Sequence, residues 1–328
     1  MNQNIEKNFN NILINIVDKR KKTSILTAIS GGQDSICLIK LIENLKKKLI
    51  LLGNENKINI EYIYIDHQWK KDSTKQIQHI ISYLKSLKQV IKIYQIKDLA
   101  LSENSCRKYR YHTIIQHAIK YKQNIIITAH TETDKIETFF QNVLRGAGIE
   151  GVTSLRLARK LNKDIYIIRP LINIKRDNTY YLCKKHYLPI WSDITNYNYN
   201  IQRNRVRNEL IPYLRQYFNN NVENNLKYLI KYYHYDNEYI KQNTIKFYIS
   251  SIHEKFIAIN YKKVNKQHFA LQIRVIQLFY FHNFNRYLNK NQLLELIKII
   301  NKFKLNLNIK YKNFYLNTIS RWIYIKLK

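Results

Sequence analysis

The stretch Ser24–Lys40, "SILTAISGGQDSICLIK", joins an apolar run to a helical pattern through two adjacent glycines. The run Thr23–Ile29 has the length and composition of a buried strand, and apolar residues recur at helical spacing over Ser35–Leu49. The sequence therefore predicts a strand, a tight turn and a helix in succession. Clustered backbone N–H groups and the positive end of a helix dipole make such a turn suitable for binding a phosphate group.

Glycine is rare in this chain, which makes its placement informative. Six glycines occur in 328 residues, and five of them lie in Gly31–Gly32 and in "RGAGIEG", Arg145–Gly151. A glycine in so poor a chain indicates a positive φ or a close approach of the backbone to another group. An ordinary helix C-cap explains Gly146, whereas the pair Gly31–Gly32 fits a loop built around a ligand.

Strand and helix patterns alternate through the first half of the chain. They predict strands at Ile58–Ile65, Val90–Ile96 and Ile125–Thr128, and helices at Ser73–Leu87, Ser105–Tyr121 and Glu132–Leu144. This alternation is typical of an α/β protein with a doubly wound, mainly parallel sheet. We assign residues 1–215 to this domain.

Four polar stretches follow the predicted strands. Ligands of doubly wound sheets bind beyond the carboxyl ends of the strands, so we expect the four stretches to converge. They are "SGGQDS", "DHQWKKDS", "SENSCRKYR" and "AHTETDKIET".

The charge balance favours a polyanionic partner. The chain carries 56 Lys and Arg against 23 Asp and Glu, a formal net charge of +33. Nucleic acid ranks ahead of a membrane, because no amphipathic anchor or apolar stretch of membrane-spanning length stands out. A genome biased towards A/T-rich codons is an alternative source of part of the lysine, although it explains the acidic deficit only in part.

The cysteines and the N-terminus bear on the compartment. Cys37, Cys106 and Cys183 are far apart and form no Cys-x-x-Cys pair, so we expect a reducing compartment and neither a disulfide framework nor a zinc site. The N-terminal segment lacks the apolar core of a signal peptide. Together with the A/T-biased composition, this favours the plastid stroma, with a bacterial cytoplasm as the alternative.

The turn after the first strand has its own chemistry. It lacks the Gly-Lys-Ser/Thr ending of a Walker loop and the spacing of a dinucleotide fingerprint. It offers two hydroxyls, on Ser30 and Ser35, at a helix N-terminus. Asp34 would repel a bound phosphate unless a cation lay between them, which indicates Mg²⁺. A purely structural helix cap is the competing interpretation.

Several stretches resemble the tRNA(Ile)-lysidine synthetase family of PP-loop ATP pyrophosphatases. The matching stretches are "SGGQDS" (Ser30–Ser35), "YIDHQWKKDS" (Tyr64–Ser73), "NSCRKYRY" (Asn104–Tyr111), "TAHTETDKIETFFQNVLRGAGIEG" (Thr128–Gly151), "IRPL" (Ile168–Leu171) and "WSDITNYNYNIQRNRVRNELIP" (Trp191–Pro212). They occur in the family's order between Ser24 and Pro212, and the resemblance fades beyond that point.

The resemblance implies a reaction. Enzymes of this family use ATP to adenylate the C2 oxygen of the wobble cytidine of a tRNA(Ile) with a CAU anticodon; free L-lysine then attacks that carbon and AMP leaves. The product, lysidine, changes decoding from AUG to AUA. The alternatives are another PP-loop tRNA-modifying adenylating enzyme, or a non-catalytic RNA-binding relative with a degraded site.

The resemblance also assigns residues to ATP and catalysis. Arg107, Arg110 and Tyr111 share one helical face that could clamp phosphate oxygens, and a solvated basic face is the alternative. Catalytic roles are implied for Asp34, Arg107, Arg110 and Asp134. ATP contacts are implied for Ser30, Gly31, Gly32, Gln33, Asp34, Ser35, Asp66 and His130, with Asp34 also the candidate Mg²⁺ ligand.

Two carboxylates on the predicted helix Glu132–Leu144 suit an ammonium group. Asp134 and Glu137 lie one turn apart, and the resemblance places them around the lysine substrate, where a carboxylate could also accept the proton of the attacking amine. An ordinary polar surface stripe is the alternative. In the family's His-His-x-Asp-Asp-Gln pattern, the second His, the first Asp and the Gln are replaced here by Thr131, Thr133 and Lys135. Glu132 is the residue that could compensate for these replacements.

Several arginines are candidates for contact with tRNA or phosphate. Three of them are expected to open a helix that ends near Pro212, and Asp193 and Asn196 belong to the same signature. Ion pairing with Asp193 and Glu209 is the alternative. The phosphate-binding candidates are Arg145, Arg203, Arg205 and Arg207.

The remainder of the chain, residues 216–328, changes character. Helical patterns at Asn225–Tyr239, Phe269–Phe281 and Gln292–Ile300 precede two alternating stretches, "LNLNIKYKNFYL" and "SRWIYIKL", which we expect to pair as a hairpin. This smaller helical or α+β domain is basic and rich in tyrosine, as suits RNA binding. Tyrosines buried in a core, and lysines that arise from A/T-biased codon usage, explain this composition equally. The oligomeric state is left open, a homodimer included.

Overall fold

The computed structural model describes residues 2–17, 23–53, 58–66, 68, 73–96, 103–192, 197–301, 308–310 and 314–327. The chain divides into two units, residues 1–230 and 231–328. The sequence-based division between residues 215 and 216 stays a prediction. Across the described part of the chain, no helix combines the length and apolar character that a membrane span requires.

A six-stranded sheet organises the described part of the first unit. Its strands are β1 (Thr23–Ile29), β2 (Ile58–Asp66), β3 (Ile91–Gln95), β4 (Ile125–Thr128), β5 (Ala158–Lys160) and β6 (Tyr166–Ile168), in the order β3-β2-β1-β4-β6-β5. Neighbouring strands are parallel except for β5 against β6. The expected α/β class with a mainly parallel sheet is confirmed.

Helices cover both faces of this sheet. Alternate residues of β1 belong to different cores: Ile25 packs in a cluster with Phe9 of the first helix, and Leu26 in one with Ile114 of the fourth. Burial on both faces explains why the central strands β1 and β4 are largely apolar. The helices of this part are α1 (Asn2–Val17), α2 (Gln33–Leu51), α3 (Ser73–Ser86), α4 (Glu103–Lys120), α5 (Glu132–Leu144), α6 (Ile149–Val152) and α7 (Arg176–Lys185).

The strand order creates a switch point between β1 and β4. These two strands pair directly, with Ile25 opposite Ile125. The chain leaves β1 towards β2 and β3, but it leaves β4 towards β6 on the other side. Ligands of doubly wound sheets bind in the crevice at such a point, beyond the carboxyl ends of the strands.

A continuous helical run follows the sheet and corrects one expectation. It consists of α8 (Gln202–Arg205), a π-helical turn (Val206–Leu210) and α9 (Ile211–Tyr217). The expectation that the helix ends near Pro212 is wrong, because Pro212 lies in the first turn of α9. Because the run is continuous, Pro212 removes one intrahelical N–H, and the π-helical turn lies directly before α9, in whose first turn Pro212 lies.

The second unit is a smaller helical and β structure. Its described strands β7 (Ala258–Asn260), β8 (Asn308–Lys310), β9 (Phe314–Ile319) and β10 (Trp322–Leu327) form an antiparallel sheet in the order β7-β10-β9-β8. The expected hairpin is the pair β9 and β10, but the first alternating stretch contains β8 as well as β9. The remaining helices are α10 (Val222–Ser251), which contains the division between the units, α11 (Tyr261–Asn265), α12 (Phe269–Phe284) and α13 (Lys290–Asn301).

Gly31 is held in a conformation that few other residues adopt. Its φ is +79°, and a Cβ at this position would lie 2.6 Å from Cδ1 of Ile80. Beside it, Nε2 of Gln76 donates to the Ser30 carbonyl oxygen at 2.6 Å. Helix α3 therefore packs directly on the turn that follows β1, and the positive φ together with this close contact favours glycine there.

Replacing Gly31 by alanine should destabilise the protein strongly. We expect Gly31→Ala to lower the free energy of unfolding by about 2–4 kcal/mol, because left-handed strain adds to overpacking against Ile80. Gly53→Ala is the matched control, since Gly53 has a φ of +67° but open space around its Cβ position, and it should lose about 1 kcal/mol. Urea unfolding of both variants measures the difference, and equal losses would contradict the packing argument.

Candidate active site

A cleft of about 1380 Å³ opens at the carboxyl ends of β1 and β4. Three of the four polar stretches expected to converge contribute residues to this cleft, whereas the described residues of the second, Asp66, Gln68 and Ser73, do not line it. The sequence-predicted residues that line the cleft are Ser30, Gly32, Gln33, Asp34, Ser35, Arg110, His130, Asp134, Arg203 and Arg207.

The loop between β1 and α2 is closed by its own hydroxyls. The Ser30 backbone N–H donates to Oγ of Ser35 at 3.0 Å, and the two serine hydroxyls lie 2.9 Å apart. Gly32 occupies the N-cap of α2 without a side chain to cap it. The first N–H groups of α2 therefore face the cleft without a side-chain cap, which is the arrangement that binds an anion.

Asp34 lies in the first turn of α2 and is tied to α7. Its Oδ1 accepts a hydrogen bond from Oγ1 of Thr179 at 2.5 Å, and its Oδ2 lies 3.6 Å from Nε of Arg176. Burial raises the pKa of Asp34, Arg176 opposes that shift, and the nearby Asp134 carboxylate adds to it. The carboxylate is thus oriented from one side and remains open to the cleft on the other.

Asp134 caps the helix on which it lies. Its Oδ2 accepts from the Thr131 backbone N–H at 2.7 Å and from Oγ1 of Thr131 at 3.1 Å, which completes a capping box. Its Oδ1 pairs with Nη2 of Arg203. Burial alone would raise the pKa of Asp134, but Arg203, His130 and the Thr131 N–H outweigh it and hold that pKa at about 2.

Glu137 forms the centre of a buried ion-pair cluster. Its side chain has 0% exposure; Oε2 accepts from Nε of Arg203 at 2.6 Å, and Oε1 accepts from Nε of Arg207 at 2.5 Å. Nη2 of Arg207 also lies 3.6 Å from Asp134 Oδ1. Two guanidinium groups and two carboxylates therefore join α5 to the run of α8 and the π-helical turn, and the carboxylates do not form a surface stripe.

His130 is a neutral group at the floor of the cleft. Its Nδ1 lies 2.8 Å from Oγ1 of Thr128 at the end of β4. Burial lowers the pKa of His130 to about 3; the Asp134 carboxylate opposes this shift, and the cations of Arg169 and Arg203 add to it. The imidazole therefore carries no charge at neutral pH and acts as a hydrogen-bonding group.

Arg110 brings α4 into the cleft. Burial lowers the pKa of its guanidinium, and the neighbouring cations Arg107 and Arg203 act in the same direction. Arg107 packs over the ring of Tyr111, with 5.8 Å between its Cζ and the ring centroid. Burial raises the pKa of Tyr111, but the surrounding arginines Arg169, Arg107 and Arg110 outweigh that effect and leave it lowered. This wall of the cleft is strongly positive.

The other predicted residues lie outside the lining of the cleft, as far as the structure describes it. Asp66 ends β2 and accepts from the Gln68 backbone N–H at 2.9 Å. Arg145 is exposed at the C-terminal end of α5, about 20 Å along the helix from its first turn. Arg205 points to solvent and pairs with Glu209 at 2.9 Å.

Some residues of the quoted motifs lie outside the described part of the chain. These are His67, Trp69–Asp72, Ser102 and Asp193–Asn196. Glu132, the residue considered as a compensation for the departures in the His-rich motif, is buried and pairs with Nζ of Lys227 at 2.6 Å.

Sequence reasoning missed several polar residues that support the site. Arg169 directly follows β6, is 5% exposed and donates from Nη1 to the Arg156 carbonyl oxygen at 2.9 Å. Its position after a strand, within "IRPL", was a signal for it. Arg176 and Thr179 occupy the first turn of α7 and hold Asp34, and only the folded chain brings them to it because they are more than 140 residues away.

A divalent cation fits the donor set around Asp34. Within the described residues, no group of three or more His, Cys, Asp or Glu side chains could hold a metal ion. Mg²⁺ is usually held by one or two carboxylates, substrate phosphates and water, and Asp34 and Asp134 lie close enough to influence each other electrostatically in the same cleft. Asp34 and Asp134 are therefore the carboxylates in the cleft that could reach a Mg²⁺ ion held by substrate phosphates.

These features define a nucleotide-binding domain of the PP-loop class, and residues 1–214 match the family described as the PP-loop domain. The chain is 45% identical over 93% of both sequences to a chloroplastic tRNA(Ile)-lysidine synthase from Gracilaria tenuistipitata var. liui. It is 33% identical to a protein of the same name from Pyropia yezoensis, over 93% of this chain and 91% of that one. The chain belongs to the tRNA(Ile)-lysidine synthase family, which confirms the resemblance of its motifs.

A solved structure shows the same fold at lower similarity. The U34-tRNA thiolase NcsA from Methanococcus maripaludis, determined with its [4Fe-4S] cluster, matches 70% of this chain and 78% of its own, with a TM-score of 0.54. Its sequence identity to this chain is 16%. This likeness establishes the shared architecture and carries no statement about the reaction.

Removing the charge of Glu137 should be costly. Glu137→Gln leaves Arg203 and Arg207 without their central partner, so we expect the free energy of unfolding to fall by about 3 kcal/mol. Glu209→Gln, which breaks the exposed pair with Arg205, is the matched control and should lose less than about 1 kcal/mol. Urea unfolding measures both variants, and comparable losses would show that the cluster contributes no more than a surface pair.

The neutral state of His130 predicts a specific pH dependence. An unfolded imidazole has a pKa of about 6.5, so below that pH the unfolded chain binds a proton that folded His130 does not. The free energy of unfolding should therefore fall by about 1 kcal/mol more between pH 7 and pH 5.5 in the wild type than in His130→Gln. Parallel unfolding curves of the two proteins over this range would contradict a buried neutral histidine.

Proposed function

We propose that this protein joins free L-lysine to C2 of the wobble cytidine of a tRNA(Ile) with a CAU anticodon, using ATP and forming lysidine. The observation that carries the proposal is the match to tRNA(Ile)-lysidine synthases over 93% of the chain. The cleft supports it, because the loop Ser30–Ser35, Arg110 of α4 and Asp134 of α5 meet at one edge of the sheet. Adenylation of the base oxygen makes C2 open to attack by the amine.

In this proposal the loop Ser30–Ser35 binds the phosphates of ATP. The N–H groups at the start of α2 and the hydroxyls of Ser30 and Ser35 are the donors, and Gly31 and Gly32 let the backbone approach the anion. Asp34, with Asp134 nearby, would hold Mg²⁺, which neutralises phosphate charge when bound. Gln33 lines the cleft, and its Nε2 donates to the Arg176 carbonyl oxygen of α7 at 3.0 Å, which orients its side chain.

The arginines and His130 then serve the adenylation step. Arg110 enters the cleft from α4 and stabilises negative charge that gathers on the transferred phosphate. Arg107 acts through Tyr111, on whose ring it packs, and is a positioning residue in this scheme. The imidazole of His130 stays neutral beside Thr128, so it orients ligand atoms by hydrogen bonding and adds no positive charge.

The lysine site involves Asp134 more directly than Glu137. Asp134 lines the cleft, whereas the fully buried Glu137 is occupied by Arg203 and Arg207. The ammonium group of the lysine substrate would therefore replace the Arg203 guanidinium at Asp134 Oδ1. Glu137 would continue to hold Arg203 and Arg207 in place. Arg203 and Arg207 remain at the cleft for contact with phosphate, and Arg145 and Arg205 are solvent-facing candidates for the tRNA backbone.

The relatives also suggest where the protein acts. Two proteins of this family that match the chain are named chloroplastic. We place the protein in a plastid on that support, and in its stroma because the described residues contain no membrane-spanning helix and tRNA is the substrate.

The proposal is tested with purified protein, ATP, Mg²⁺, labelled lysine and a tRNA(Ile) transcript carrying a CAU anticodon. Lysidine detected by mass spectrometry of the digested RNA is the expected result. A transcript whose wobble base is uridine is the control and should remain unmodified. RNA binding without any product would replace the proposal by the non-catalytic alternative.

Asp34→Asn should separate chemistry from tRNA binding. We expect lysidine formation to fall by at least about 100-fold, because the carboxylate that faces the phosphates loses its charge, while the affinity for tRNA stays within about twofold. Asp164→Asn, an exposed residue away from the cleft, removes the same charge and should retain full activity. Unchanged turnover in Asp34→Asn would exclude Asp34 from the reaction.

A further inference from the structure

We propose that three exposed aromatic rings at the end of α9 form a stacking surface for unpaired bases of the tRNA anticodon loop. The surface consists of Tyr213, Tyr217 and Phe218, and we name it the α9 aromatic platform. The proposal rests on the proposed function and adds to it a contact site for the bases that flank the modified cytidine.

The platform is preformed and faces solvent. Tyr213 is 54%, Tyr217 65% and Phe218 72% exposed. The ring of Tyr213 lies 4.8 Å from that of Tyr217 and 6.0 Å from that of Phe218, measured between centroids. The opposite side of the same run is buried, since Ile211 packs with Ile136 of α5. The rings are therefore held together by one another on a helix that the core has already fixed.

The platform lies on the helical run that also forms one wall of the cleft. Arg203, Arg207 and Asn208 line the cleft and belong to the same helical run as the platform. Tyr213 follows Asn208 by five residues, about 8 Å along a helix axis. Ile211, two residues before Tyr213, faces the core, so the rings lie on the solvent side of the run, beyond the residues that line the cleft.

The chemistry of the reaction creates the need for such a surface. An enzyme that acts on a base takes that base out of its stack, and the neighbouring bases then lose a stacking partner. Aromatic side chains recover that stacking for single-stranded RNA without regard to base identity. Three adjacent rings beside the cleft supply this replacement.

The surroundings favour RNA over a second copy of the chain. Two exposed arginines lie on the same run, Arg205 paired with Glu209 and Arg215 paired with Glu223, and the chain as a whole carries a formal charge of +33. The three rings together expose roughly 400 Å², about half of what each partner buries in a standard protein interface. The patch is therefore small for a dimer contact and well matched to a few bases.

The test removes two rings and reads tRNA recognition separately from chemistry. In Tyr217→Ala/Phe218→Ala we expect the KM for tRNA to rise roughly tenfold or more, with kcat at saturating tRNA and the KM for ATP within about twofold of the wild type. The ring-retaining variant Tyr217→Phe/Phe218→Tyr should behave like the wild type. Tyr181→Ala, which removes an exposed ring of α7 (57% exposed) that does not line the cleft, is the matched control and should change neither constant.

A binding assay reports stacking without catalysis. The probe is an anticodon stem-loop hairpin in which 2-aminopurine replaces the adenine that follows the target cytidine. Its fluorescence should be quenched on binding to the wild type and to the ring-retaining variant, and much less by the double alanine variant. Quenching that depends on the rings supports the platform even if the wild type forms no lysidine, in which case only the proposed function fails.

Three results would overturn the platform. One is a double alanine variant with wild-type KM for tRNA and wild-type quenching. Another is an equal loss in the ring-retaining variant, which would assign the effect to helix packing. The third is conversion of a dimer to a monomer, seen by light scattering, with tRNA affinity unchanged, which would make the surface an interface between two copies of the chain.

Discussion

The arrangement of the first unit depends on one buried set of ion pairs, the carboxylates of Asp134 and Glu137 with the guanidinium groups of Arg203 and Arg207. Glu137 has no exposed surface and accepts hydrogen bonds from both arginines. Burying a charge without a partner is expensive, so α5 is stable against the sheet only when the run of α8 and the π-helical turn is docked on it. This single cluster holds one wall of the cleft and sets the position of everything that follows on α9.

Much of the fold could be read from the sequence because the strands are buried on both faces. The boundaries of β1, β4 and α5 agree residue for residue with the expected ones, since sharp changes in polarity mark both ends. The strands β5 and β6 were not expected, because three residues are too few to show a period. The helix α10 extends well beyond the expected range, since its ends are polar and apolar spacing alone does not mark them.

The candidate site was predictable to the extent that topology alone gathers residues. Residues just after the strands of a parallel sheet are brought to the same edge, which is why Asp34, His130 and Asp134 meet, whereas Arg110 reaches the cleft from within α4. The ion-pair partners of these residues could not be predicted in the same way. The partners of Glu137 lie 66 and 70 residues away, and only packing reveals that a helix face with two carboxylates is turned inwards. The His-rich motif of the family has Thr131 in place of a histidine here. The structure gives this residue a role, because the hydroxyl and the N–H of Thr131 both donate to Asp134.

The π-helical turn at Val206–Leu210 has a consequence for how this family can vary in length. Such a turn holds one residue more than the α-helical turn it replaces, and each residue rotates a helix by about 100°. Deleting a single residue there would leave Arg203 facing the carboxylates but swing all of α9 a quarter turn or more about its axis. Insertions and deletions in this segment therefore change the rotation of α9 relative to the wall of the cleft, and a relative of different length at this point exposes a different face of α9.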